Sequence, residues 1–250
     1  MRSKKNKTYN KLRKSVKAGE ICIVPSDNRL IEMGEEPYVN GPKKRPAWFR
    51  LSPKNGIKRC SGIKDFFDIG ITIPAWTTFR FVPDELTGRW DVHAAQFSVS
   101  NTIFGADFFP YEMTGECPMT GVRSIENSPY PKLVTPYAFI TAPGWSTIEL
   151  GIMHEPNPNY DIVAGIVHTD FYHQINVVLN IKTDKEFIIP HNEPLVHLVP
   201  FKRTEDFGNI KMMDESDFKY VYGVHSDVDV LGPTESGWIA REYRKARRLS

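Results

Sequence analysis

The sequence predicts a mainly β protein, a jelly-roll-like β-sandwich or β-clip barrel with a few short helices and a C-terminal helix. Residues 165–203 carry most of that reading. Ile175, Val177 and Leu179 alternate with Gln174, Asn176, Val178 and Asn180, the period of two that a strand with one face on a core requires. Phe187 and Ile189 resume the alternation after the charged turn Lys182 to Glu186, and Leu195, His197 and Val199 continue it after the break His191-Asn192-Glu193-Pro194. Nineteen prolines and seventeen glycines also divide the chain into many short runs, which suits a sandwich or barrel better than a helical or parallel α/β fold. With 40% hydrophobic and 12% aromatic residues, 250 residues suffice for a full core.

Ile21 to Val24 reads as a strand ending at Pro25 and the turn Ser26-Asp27-Asn28. Gly41 to Pro53, rich in Gly, Pro, Lys and Arg around Trp48 and Phe49, reads as an extended segment pinned by two aromatics. Residues 62–70 predict a short helix, with Ile63, Phe66, Phe67 and Ile69 near one face and Gly70 as its stop. Ile71 to Ala75 and Thr77 to Val82 read as strands, and the turn around Pro83-Asp84-Glu85 and Thr87-Gly88 makes a hairpin into Arg89 to His93. Between Ser98 and Pro136 eight prolines and glycines break every run, and loops over the scaffold are expected. Tyr137 to Ile140 and Ser146 to Ile152 read as strands flanking the turn Thr141-Ala142-Pro143-Gly144. Beyond Arg203, helices are expected over 210–222 and 234–249, the second capped by Thr234. The organisation is therefore a basic arm (1–20), a β-rich body (21–203) and a C-terminal extension (204–250).

A net charge of +2 conceals a marked asymmetry. Lys4, Lys5, Lys7, Lys11, Arg13, Lys14 and Lys17, with Arg2, give residues 1–17 a charge of +8, while Arg241, Arg244, Lys245, Arg247 and Arg248 against Glu242 give the last ten residues +4. The body between them therefore carries −10. Basic arms on an acidic body suit contacts with neighbouring protein subunits, or with a nucleic acid, although a single aromatic (Tyr9) in the first arm offers little for base stacking. Cys22, Cys60 and Cys117 are odd in number and far apart, which gives no zinc pair or disulfide framework and points to a reducing compartment. No run approaches a membrane span and no apolar leader follows the first charges, so neither a membrane nor secretion is expected.

The segments Lys58 to Phe66, Ile71 to Trp76, Thr141 to Ser146, His154 to Pro158, Gly165 to Asp170 and Pro200 to Arg203 together resemble a family of uncharacterised proteins of tailed bacteriophages, of the marine myovirus type, with distant bacterial relatives. The resemblance covers about residues 45 to 203 and implies a phage origin and a β-rich body. It brings no catalytic residues. Within it, Gly165 to Phe171, the strand to Leu179, Phe187 to Ile189 and Leu195 to Leu198 are similar to the strand-turn-strand core of trimeric dUTPases. The departures fall at functional positions. His168 stands where that family places its catalytic carboxylate, Phe171 where it stacks a tyrosine on the sugar, and His173 where it needs a glycine; Arg123-Ser124 lacks the small neighbours of a phosphate-binding turn.

The residues themselves offer one further chemical constellation. His168 and Asp170, two apart at a strand end, with His197 as a distant third ligand, would form a two-histidine, one-carboxylate metal site of the oxygenase type, and Arg203 could then grip a substrate carboxylate. The bland alternative places His168, His173 and His197 at the rim or edge of the core, bonded to backbone carbonyls. There is no G-x-G-x-x-G, Walker loop, G-x-S-x-G or H-E-x-x-H. Trp48, Phe49, Trp76, Phe79, Phe81, Trp90 and Trp145 fit core filling better than a sugar platform. The sequence thus favours a phage structural or accessory protein, without cofactor, located in the virion and in the host cytoplasm during assembly. Its expected partners are other virion proteins. A metal-dependent or dUTPase-like enzyme is the alternative.

Overall fold

In the computed structural model, the described residues are 14–25, 37–40, 45–53, 56–84, 89–94 and 131–203 except His154, with Lys11, Asn28, Leu30 and Leu86. The expected helices at 210–222 and 234–249 lie outside them, as do Lys4, Lys5, Lys7, Arg13, Arg244, Lys245, Arg247, Arg248, Cys117 and Arg123-Ser124. Strands dominate, in the order β1 (Ile21–Pro25), β2 (Val39–Asn40), β3 (Ile71–Pro74), β4 (Phe79–Asp84), β5 (Arg89–Ala94), β6 (Lys132–Thr141), β7 (Trp145–Gly151), β8 (Tyr160–Ile162), β9 (Gly165–Val167), β10 (Gln174–Ile181), β11 (Phe187–Ile189) and β12 (Pro194–Lys202). Helices α1 (Ala47–Leu51) and α2 (Ser61–Asp68) flank a 3-10 turn at Ile57–Arg59. No helix among the described residues is long and apolar enough to cross a membrane.

The chain divides into two compact units, of which the first comprises residues 1–44 and 69–203. Three antiparallel sheets build it, in the orders β1-β6-β10-β8, β11-β4-β5 and β2-β3-β12-β7-β9. They share one core. Phe139, Ile175, Val177 and Leu179 of the first sheet, Phe79, Phe81 and Phe187 of the second, and Ile73, Val196 and Leu198 of the third all belong to it. The alternation in β10 and β11 is therefore used as the pattern predicts, with Ile175, Val177, Leu179 and Ile189 almost wholly buried. Phe81 stacks on Phe187 at 4.6 Å, and Trp90 meets the same ring edge-on. The second unit, residues 45–68 with 204–250, is described through α1 and α2. Phe49 and Phe67 pack edge-to-face at 5.0 Å, and Arg45 clasps Asp68 at 2.6 Å.

Three expectations are corrected. The segment 41–53 is not extended throughout, because Ala47–Leu51 forms a helical turn closed by Ser52, whose N–H and hydroxyl both donate to the Trp48 carbonyl. Of the loops expected between Ser98 and Pro136, residues 98–130 lie outside the described residues, and Lys132 to Pro136 is instead the first half of β6. Proline is tolerated there because the register against β10 shifts between Gln174 and Asn176, a bulge where a missing N–H breaks no ladder bond. In β12 a second shift, between Pro194 and Val196, puts Val196 and Leu198 opposite the core residues Ile73 and Ile71. His197 consequently lies on the opposite face, beside Thr72 and Leu150.

Candidate functional site

Three chain segments meet where β7 starts, β9 ends and β12 runs out. The first is the tight turn from Ala142 to Trp145, closed by Trp145 N–H to the Ala142 carbonyl at 3.0 Å. Proline presets its second position, and Gly144 supplies a φ of +81° at the third. The second is the turn after β9, in which the His168 carbonyl accepts from both Phe171 and Tyr172 N–H at 2.8 Å. The third is Arg203, whose own N–H donates to the Gly144 carbonyl at 2.8 Å.

Asp170 lies at the centre with no solvent exposure. Arg203 donates to it twice, Nη1 to Oδ1 at 2.7 Å and Nη2 to Oδ2 at 2.6 Å, and Gly144 N–H adds a third bond to Oδ2 at 2.9 Å. The same Nη1 reaches Ser146 Oγ at 2.9 Å, and Ser146 Oγ meets His168 Nδ1 at 2.9 Å. Thr141 and Thr169 hydroxyls bond to one another at 2.8 Å beneath this layer. The bond from Asp170 raises the guanidinium pKa of Arg203 still further. A buried carboxylate with three donors is satisfied, and the three segments become one rigid corner.

The expected constellation is only partly assembled. His168, Asp170 and Arg203 come together, but both Asp170 oxygens are occupied by Arg203, so a cation would have to displace a guanidinium and a substrate carboxylate would have to displace Asp170. His197 stands elsewhere. It pairs with Leu150, four residues along β7 from Ser146 and so about 13 Å away, and its Nδ1 lies 3.4 Å from Thr72 Oγ1. Among the described residues no group of three or more His, Cys, Asp or Glu is placed to hold a metal. His173 Nδ1 meets the Thr169 carbonyl at 2.8 Å, the role of an edge histidine.

Exposed apolar side chains flank the corner. Phe171 is 65% exposed, Tyr172 49% and Ile166 54%, all within seven residues. Their placement is fixed from beneath: Phe171 follows the buried Asp170 and lies 5.9 Å from the Arg203 guanidinium. Asn176 Nδ2 donates to the Tyr172 hydroxyl at 3.0 Å. Sequence reading singled out His168, Asp170 and Arg203 and noted Phe171 only as a departure from the dUTPase pattern, but missed Ser146, Gly144 and the exposure of the pair Phe171-Tyr172. The signal available for that pair was two adjacent aromatics after a turn, outside the alternation of β10.

Other concave regions are less organised. A cleft of about 370 Å³ is lined by Tyr160, Asp161, Glu155 and Glu193 among others. There Asp161 is paired with Lys182 at 2.8 Å, and burial together with the Glu193 charge pushes the Tyr160 phenol up to about 12. In the second unit Arg45, Arg50, Lys58 and Lys64 surround Phe49.

No protein-family model matches the chain, and no curated protein matches its sequence. Among solved structures, a mutant dUTPase from phage phi11 of S. aureus is similar at 8% identity and a TM-score of 0.33, over 78% of this chain and 99% of that one.

Proposed function

We propose that this chain is a structural or accessory protein of a phage particle, packing on neighbouring protein subunits through its β-body and its basic arms. The observation that carries the assembly reading is the Phe171-Tyr172 tip. Two adjacent aromatics left exposed mark an interaction surface, and here they directly follow a buried carboxylate that accepts three hydrogen bonds. Rigid aromatics pre-organised from below are what a protein interface uses as anchors. The exposed lysines Lys11, Lys14 and Lys17 of the first arm fit a second contact, with protein or with nucleic acid. The phage setting rests on the sequence resemblance. The metal-dependent alternative has less support, since its proposed carboxylate and its proposed substrate-binding arginine bind each other.

The test is incorporation. The protein is expected in purified particles at well above trace copy number by mass spectrometry. A Phe171→Asp, Tyr172→Asp double variant should keep its melting temperature and fail to incorporate. Absence of the wild-type protein from particles, or normal incorporation of the variant, would defeat the proposal.

A further inference from the structure

Glu149 sits in the middle of β7 and is only 4% exposed. Its neighbours across the sheet are Leu198 on β12 and Gly165 on β9, so its side chain shares a face with core residues. Val167, Leu198, Val196 and Ile73 all lie on that face, and all pack in or against the hydrophobic cluster. Its Oε1 has no hydrogen-bond partner among the described residues, and neither does the Oγ1 of Thr147, two residues away on the same face.

No cation faces this carboxyl among the described residues. On β12 its face carries Val196, Leu198 and Pro200, while His197 points to the other side. β9 contributes Gly165 and Val167, and β7 contributes Thr147 and Gly151. Of the other strands touching β7, β8 carries Tyr160 and Asp161, the latter tied to Lys182, and β6 carries Lys132 at its far end. Beyond β9, Arg203 and Asp170 are bound to each other and His168 to Ser146. An ionised Glu149 would thus be a buried charge with no counter-charge, a state proteins avoid by binding a proton or by opening to water. Burial accordingly pushes its carboxyl up to about 7.

The direction of opening follows from topology. On the β12 side Glu149 is flanked by an interior strand. On the other it is flanked by β9, a three-residue edge strand, and by a glycine whose missing Cβ would meet nothing within 4 Å. We infer that Glu149 is a proton-controlled latch on β9: protonated, it lets β9 lie on β7, and ionised, it drives that edge strand off and loosens the Phe171-Tyr172 tip that β9 leads into. The latch is local to the fold, while its effect on assembly rests on the interface proposed above.

Hydrogen exchange on the isolated full-length protein, corrected for intrinsic rates, tests the latch without any partner. The opening equilibrium of amides in 165–172 should rise about tenfold or more between pH 5.5 and 8.5, and Glu149→Gln should abolish that rise. Glu149→Met provides a second neutral variant should glutamine fit poorly. A flat profile in the wild type, or the same rise in both neutral variants, would overturn the latch. If the exchange behaves as expected but the Phe171, Tyr172 variant still incorporates into particles, the latch stands and the interface reading fails.

Discussion

Replacing Arg203 by Met would leave Asp170 as a buried carboxylate that has lost its guanidinium counter-charge. Removing one partner of a buried pair typically costs about 3–5 kcal/mol, because the remaining ion keeps its desolvation penalty. Arg203→Met should therefore lower the unfolding free energy by roughly that amount in urea titration, and Asp170→Asn by less, since the amide oxygen can still accept from Gly144. An equal and negligible loss in both would mean that the pair is not the keystone of the corner. Glu149 gives the opposite kind of residue-scale effect. Its carboxyl is raised from an ordinary value of 4.5 to about 7, so the folded state binds the proton more tightly than the unfolded one. Stability is then highest at and below pH 4.5 as far as this group is concerned, and is lost as pH rises toward and through 7, by about 3 kcal/mol in all. Glu149→Gln should remove that slope. In the sequence Glu149 is invisible as a core residue, because Thr147, Glu149 and Gly151 read as the solvent face of an alternating strand whose other face is Ile148 and Leu150. In the third sheet it is the face of Thr147 and Glu149 that is buried, with Leu198 and Val196, and alternation alone cannot report which face that is.

At the scale of elements, the strands with one buried face were the legible ones. β10, β11 and the hairpin β4-β5 lie where Ile175 to Leu179, Phe187 to Ile189 and Phe79 to Val92 place them. What escaped was register. The bulge at Leu195 turns that side chain to the core face occupied by Val196 and Leu198, and a bulge leaves no mark in hydropathy, so His197, read as sharing a face with Leu195 and Val199, shares one with Val199 alone. Helix α2 was legible through its apolar spacing and Gly70, and the structure shows why a glycine is needed. Gly70 has φ +65°, and a Cβ there would lie 2.0 Å from the Leu198 carbonyl oxygen, a clash with the backbone of a core strand. Gly144 has φ +81° with nothing within 4 Å of a Cβ. Gly144→Ala should thus cost only the left-handed penalty, about 1–2 kcal/mol. Gly70→Ala should cost distinctly more, because β12 must also shift. Thermal unfolding of the two variants side by side checks the order, and equal losses would show that the approach of Gly70 to β12 is not confining.

For the whole molecule, the division into arm, body and extension came from charge, and charge locates an arm without showing where it stops. The arm is drawn to residue 20. Val16 is buried, Glu20 turns back to accept from Lys17 N–H at 2.9 Å, and Gly19 lies beside Trp145, so Val16 is anchored although Lys17 to Glu20 after it are exposed. Two truncations separate the roles. Removing residues 1–10 takes away Arg2, Lys4, Lys5 and Lys7 but leaves Val16, and should leave the unfolding midpoint unchanged within about 0.5 kcal/mol. Removing residues 1–17 also takes Val16, whose burial contributes on the order of 1.5 kcal/mol, and should lower stability by about that much. Incorporation into particles decides what the first ten residues do. Loss of incorporation in the shorter truncation, with an unchanged midpoint, assigns the basic charges to a partner; normal incorporation with an unchanged midpoint means that the β-body alone makes the contact. If the shorter truncation already unfolds the protein, the first ten residues belong to the fold, and a separate basic arm does not exist.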